Sequence, residues 1–242
     1  MTIPSEVRPE SASDADAERV LDNPAHASLS GPHRRFAQVH GQALRYHPDV
    51  SVFTALPSAA EPSAWADLAV LAGPGATFAL SAQDPAAVPA GWEVLDSGRG
   101  VQLVDDGLRT APDEEAVRLG AADVPEMMAL VALTKPGPFA VRTVELGTYL
   151  GIRREGALVA MAGERLHPPG WTEISAVCTH PDFRGQGLAT RLVRAVGHGI
   201  RERGETPMMH AAASNTNAIR LYLSIGFRLR RETTFMAVRT PA

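Results

Sequence analysis

Between Trp171 and Gly204 the chain passes from a β-branched, apolar run, WTEISAVCTH, through a glycine turn, PDFRGQG, into a run with helical periodicity. That succession is the strongest constraint on its fold. The second run carries Leu188, Leu192, Val193, Val196 and Ile200 on one side and Arg191, Arg194, His198 and Arg201 on the other, which predicts an amphipathic helix closed by Gly204. A strand entering a helix through Gly185 and Gly187 predicts a bare helix N-terminus. Its unpaired N–H groups and positive dipole end suit an anion, and glycine lets a phosphate approach the backbone without Cβ interference.

Composition narrows the classes. A chain of 242 residues with 45% hydrophobic and 21% charged side chains reads as globular, with one or two domains. Its formal charge of −4 and pI near 6.1 argue against a nucleic-acid footprint. No apolar run approaches the length needed to span a bilayer and the start of the chain lacks a signal-peptide pattern, so no membrane partner is expected and a cytoplasmic location is the default. Cys178 is the one cysteine, which excludes an intrachain disulfide, and in EISAVCT it reads as a small buried hydrophobe. His26, His33, His40 and His47 recur every seven residues, yet Gly31, Pro32, Gly41 and Pro48 break any helix that would align them, so no metal is expected.

Texture divides the chain into a tail over 1–20, an α/β unit over 21–106 and a second domain over 107–242. In the middle unit, SLSGPHRRFAQ predicts a short helix with Pro32 near its first turn. PSAWADLAVLA predicts another helix, and VSVFTAL, TFALS and GVQLVD predict strands. Asp105–Glu115 reads as a linker. Beyond it come a short strand (AVRLG), a helix (AADVPEMMALVALT), a KPGPF turn, a second helical segment (AVRTVELG) and a hairpin through REG. The strand, turn and helix already described follow, then a strand (PMMHAAA), a helix closed by Gly226 and a final strand or hairpin (FRLRRETTFMAV). The expectation is an α/β (α+β) chain with a mixed, mostly antiparallel sheet flanked by helices.

The glycine turn is neither of the common nucleotide motifs. A dinucleotide fingerprint requires a third glycine where Thr190 stands, and a phosphate loop requires a lysine, whereas Lys135, the only one, lies elsewhere. Instead RGQGLA, Arg184 to Ala189, resembles the Arg/Gln-x-x-Gly-x-Gly/Ala signature of the GNAT superfamily of acyl-CoA-dependent N-acetyltransferases. NTNAIRLYLSIGF, Asn215 to Phe227, resembles that superfamily's second motif, Asn-x-x-Ala followed by Tyr and Gly-Phe. The likeness covers about Val117 to Val238. The middle unit departs from a minimal member: it is compatible with a decayed copy of the same fold or an unrelated cap, and shaping the acceptor pocket or forming a homodimer surface are the roles open to it.

The resemblance implies acetyl-CoA as co-substrate and a primary amine as acceptor, with direct transfer in a ternary complex. The backbone of Arg184, Gly185, Gln186, Gly187, Leu188 and Ala189 would cradle the cofactor's pyrophosphate. Val177, Cys178 and Thr179 would run beside its pantetheine arm through their backbone. Tyr222 matches the tyrosine that protonates the departing sulfur. Asn215 and Ala218 share its helix, where Asn215 serves as cofactor contact or as N-cap. Glu173 is the candidate base, the alternative being an exposed strand-end glutamate, and His180 is a second titratable group nearby. The acceptor would meet the Lys135–Phe139 turn, with Arg142, Glu145 and Tyr149 close by. Nothing suggests a charged groove for protein, so a small amine or amino acid is the expected acceptor. A non-catalytic acetyl-CoA-binding module is the rival reading.

Overall fold

The computed structural model describes residues 17–81 and 83–242. Eleven strands form one sheet: β1 (Ala37–His40), β2 (Ala43–Tyr46), β3 (Phe53–Ala55), β4 (Thr77–Ser81), β5 (Glu93–Asp105), β6 (Val117–Leu119), β7 (Tyr149–Arg154), β8 (Ala157–Glu164), β9 (Trp171–Thr179), β10 (Thr206–Ala212) and β11 (Phe227–Arg239). Their spatial order is β1-β2-β3-β4-β11-β5-β10-β9-β8-β7-β6. Pairing is antiparallel except at β3·β4 and β9·β10. The mixed, mostly antiparallel sheet flanked by helices is therefore as the sequence predicts.

Among the described residues five α-helices with full bounds flank it: α1 (Pro24–Ser30), α2 (Pro62–Ala72), α3 (Val124–Thr134), α4 (Leu188–Glu202) and α5 (Thr216–Ile225). The stripe of Leu188, Leu192, Val193, Val196 and Ile200 is at most 2% exposed and packs on Leu103, Ile174 and Met209. Each such side chain contributes about 1.5–3 kcal/mol by burial, enough to fix this face of α4 against the sheet. Leu103 and Met209 belong to the core under α4 and α5, whereas their neighbours Val104 and Met208 belong to the core under α1, so the two cores lie on opposite faces. Gly204, at φ +77, ends α4 as expected, with its N–H bonded to Arg201 and that of Glu205 to Ile200.

The texture boundary at 106/107 does not divide the sheet. β5, from the middle unit, lies between β10 and β11 and pairs with β11 from Phe227↔Asp105 to Arg239↔Glu93. The linker expected over Asp105–Glu115 is likewise held: Asp105 and Asp113 accept from Arg201 and Arg191 of α4 at 2.6–2.8 Å, and Leu108 is buried against Gly197. Of the expected tail, residues 1–16 lie outside the described residues. Glu18 is buried and bridges Arg228 and Arg230.

Local corrections have local causes. The first helix starts at Pro24, with Asn23 as N-cap, and stops before Gly31, so Pro32 follows it instead of opening it. AVRTVELG supplies one short turn of 3-10 helix, Thr143–Leu146. The β1–β2 hairpin turns at Gly41, φ +51, where a Cβ would meet the Asp67 carboxylate. The four histidines at seven-residue intervals sit on α1, a turn, β1 and just past β2, and among the described residues they form no cluster that could hold a metal.

Candidate active site

The parallel pairing of β9 with β10 runs from Trp171↔Thr206 to Ile174↔Met209 and stops. Beyond it β9 stays with β8 and β10 stays with β5 to Ala212↔Gly100, so the two strands part. Ala176, at φ +53, is the reason on the β9 side. It is a bulge residue: Met161↔Cys178 is followed by Gly163↔Ser175, three steps on β9 against two on β8. The extra residue also turns Cys178 to the face opposite Ile174, one in the core under α3 and the other in that under α4.

The parting opens a groove of about 890 Å3. Ser175–Thr179 form one wall and Met209–Ala212 the other. Ala218, Leu221 and Tyr222, at i, i+3 and i+4 on α5, present one face to it. Arg184, Gly185 and Ala189 close one end; Phe53, Arg165, His210 and Phe235 stand at another part of the wall, and the Thr134–Pro138 turn lines it as well.

At the glycine end, Gly185 and Gly187 adopt φ +78 and +75, and a Cβ on either would stand in open space. Gly187 is the N-cap of α4 and has no side chain to offer it. Among the described residues no acceptor is placed against the N–H groups of residues 185–190. This is a concave set of donors at the positive end of a 15-residue helix, and the residues present fit a diphosphate. Gln186 is exposed, and Leu188 is packed in the core, so Leu188 offers backbone alone.

The wall residues differ in chemistry. Burial pushes the Tyr222 phenol up to about 12, so it is protonated near neutrality, and its ring packs edge-on against Phe227. Burial likewise pushes the Cys178 thiol up to about 11, which removes the thiolate that a covalent route needs. Asn215 lines the groove and also caps α5, accepting from the Ala218 N–H at 3.2 Å. His180 caps the turn after β9 through the Asp182 N–H. Phe139 packs edge-on against Tyr149, and Arg142 pairs with Glu145 at the surface.

Glu173 is not an exposed strand end. It is fully buried beneath the groove, receives both Nε and a terminal nitrogen of Arg165 at 2.8 and 2.6 Å, and lies 2.7 Å from Nδ1 of His210. Burial works to raise its pKa but is outweighed by Arg165 and then His210, which hold the carboxyl well below the usual carboxylate range. Arg165 and His210 are the residues that sequence reasoning missed. A lone histidine in the apolar strand PMMHAAA was the available signal.

The chain is similar to known acetyltransferases. The FR47-like protein family matches residues 149–236. The N-alpha-acetyltransferase RimI of Mycobacterium tuberculosis is 32% identical over 48% of this chain and 81% of its own length. The mycothiol acetyltransferase of Thermomonospora curvata is 36% identical over 34% of this chain, which spans 27% of that relative's length. A solved structure assigned to the GNAT acetyltransferases, from Novosphingobium aromaticivorans, superposes with a TM-score of 0.84 at 41% identity, covering 92% of this chain and 99% of that one. That likeness extends through the middle unit as well as both glycine-bearing motifs, and on it the chain belongs to the GNAT superfamily of N-acetyltransferases.

Proposed function

We propose that the protein transfers an acetyl group from acetyl-CoA to a primary amine by direct attack within a ternary complex. The observation that carries this reading is the groove between β9 and β10, with a helix N-terminus of free donors at one end and a protonated tyrosine on its wall. The N–H groups of residues 185–190 would hold the pyrophosphate. The free backbone edge of Val177–Thr179, left unpaired where β10 departs, would bind the amides of the pantetheine arm.

Tyr222 then supplies the proton that the leaving sulfur takes. A thiol with pKa about 8.5 leaves tolerably well as an anion, so the benefit lies near the low end of general-acid effects, about 10²-fold. Direct transfer is favoured over an acyl-enzyme because the one cysteine is buried with its thiol pushed up.

Calorimetric titration with acetyl-CoA, beside Gly187→Glu, tests the cofactor. Glutamate there puts a strained left-handed residue and a negative charge in the cradle, so binding is expected in the wild type and lost in the folded variant. Tyr222→Phe separates transfer from mere binding: acceptor-dependent thiol release falls about 10²-fold while acetyl-CoA affinity holds. A folded wild type that binds no acyl-CoA sinks the reading.

A further inference from the structure

A second cavity, of about 500 Å3, adjoins the groove: Phe53, Arg165, His210 and Phe235 line both. Its other walls include Leu21, Asp22 and Pro24 with residues 83–85 and 231–234, so the middle unit and β11 build most of it together. The volume is that of a small-molecule site. Besides Arg165, five charged side chains of both signs line it, Asp22, Asp84, Arg99, Arg231 and Glu232, which suits a polar body with donors and acceptors.

His210 stands in the shared wall with its protons assigned by its partners. Glu173 accepts at Nδ1, so that nitrogen carries the hydrogen. Gln102 lies opposite His210 across β5 and β10. Its Oε1 accepts from Arg230 and its Nε2 donates to the Leu21 carbonyl at 2.8 Å, which leaves the second Nε2 hydrogen for the His210 Nε2 at 3.0 Å. The imidazole thus keeps a lone pair on Nε2, held by one exchangeable contact. The charged groups around it are Glu173 on β9, Arg165 before β9, Arg230 on β11 behind Gln102, and the five that line the cavity.

We infer that this second cavity takes the acceptor, a small polar amine, and that His210 removes the proton the amine must lose, with Glu173 as its positioning residue. The inference rests on the transferase reading. The amine nitrogen bonds to the thioester carbonyl carbon and the carbon–sulfur bond breaks. The ammonium first gives one proton to Nε2 of His210, displacing the Gln102 contact; as the neutral nitrogen attacks, the sulfur leaves with the proton of Tyr222 and the second proton of the nitrogen passes to water. Exchange with water restores both side chains. Glu173 acts without touching the amine, by fixing the tautomer and balancing the imidazolium.

The test follows thiol release from acetyl-CoA with ethylamine, glycine and an alanine-headed hexapeptide as probes, and acetyl-CoA binding by calorimetry, in wild type, His210→Gln and Ser58→Trp. Ser58 is exposed at the cavity mouth, so tryptophan narrows the cavity without entering the core. All three proteins are expected to bind acetyl-CoA equally, and the wild type to acetylate the small amines ahead of the hexapeptide. His210→Gln loses about 10²–10⁴-fold in kcat, and the deficit shrinks as pH rises toward the amine's own pKa of about 10, which a merely structural defect does not do. Ser58→Trp raises the KM for glycine. Preference for the hexapeptide, a deficit that pH does not relieve, wild-type rates in His210→Gln, an unchanged KM in Ser58→Trp, or no release with any probe by a protein that binds acetyl-CoA each overturn the inference. Failure of the wild type to bind acetyl-CoA instead overturns the transferase reading beneath it.

Discussion

Replacing Glu173 with glutamine removes one charge from a buried pair. The Glu173 side chain is 0% exposed and that of Arg165 11%, the two joined through two nitrogens at 2.6 and 2.8 Å. Breaking a buried pair by neutralising one member costs about 3–5 kcal/mol, because the other charge stays desolvated without its partner. Against a total stability of about 5–15 kcal/mol the variant remains folded but weakened. With a urea slope of about 3 kcal/mol/M the unfolding midpoint falls by about 1–1.7 M. The pH dependence carries the sign. Glu173 has a depressed folded pKa, so its stabilisation is present above the unfolded carboxyl value of about 4.3 and is lost as pH falls through the folded value. Glu173→Gln therefore shows its deficit at pH 7 and converges on the wild type in acid. The double variant Arg165→Met/Glu173→Leu costs less than the two single changes summed, since no buried charge is stranded. A midpoint for Glu173→Gln within about 0.3 M of wild type at pH 7 refutes the argument.

Two further outcomes follow from packing. Gly226→Ala places a Cβ 2.4 Å from the Gly107 carbonyl oxygen at φ +113, and a cost of about 2 kcal/mol or more should lower Tm by about 4–8 °C by calorimetry. Cys178, with its thiol pushed up to about 11 by burial, should resist iodoacetamide at pH 8 in the native protein and react readily in urea, as mass spectrometry would show; rapid native modification would contradict its placement.

The parts of the site that were legible in the sequence are those specified by neighbours along the chain. The turn at Gly185 and Gly187, the stripe of α4, and the Asn215 cap with Tyr222 two turns on each lie within one strand, turn or helix, where periodicity and cap chemistry are readable. What escaped depends on partners far along the chain. Glu173 at a strand start reads as exposed until Arg165 and His210 close around it. β5 was visible only from Gly100 onward, because its first seven residues are exposed and include Asp96, Ser97 and Gly98, a pattern that reads as a turn until β11 supplies the pairing. Pro32 misled because Pro24 occupies the helix start that either proline could have opened.

The position of β5 also sets an order of events as the chain is made. This strand leaves the ribosome before both of its neighbours, β10 and β11, exist. Until they are synthesised its apolar stretch Val101–Val104 has no sheet to join, and the pairings that finally seat it are among the longest-range closures in the molecule. A polypeptide beginning at residue 107 would carry both glycine-bearing motifs and still leave a missing slat between β10 and β11. The first half of the chain thus acts as a built-in template, and folding commits late, when the last strand arrives.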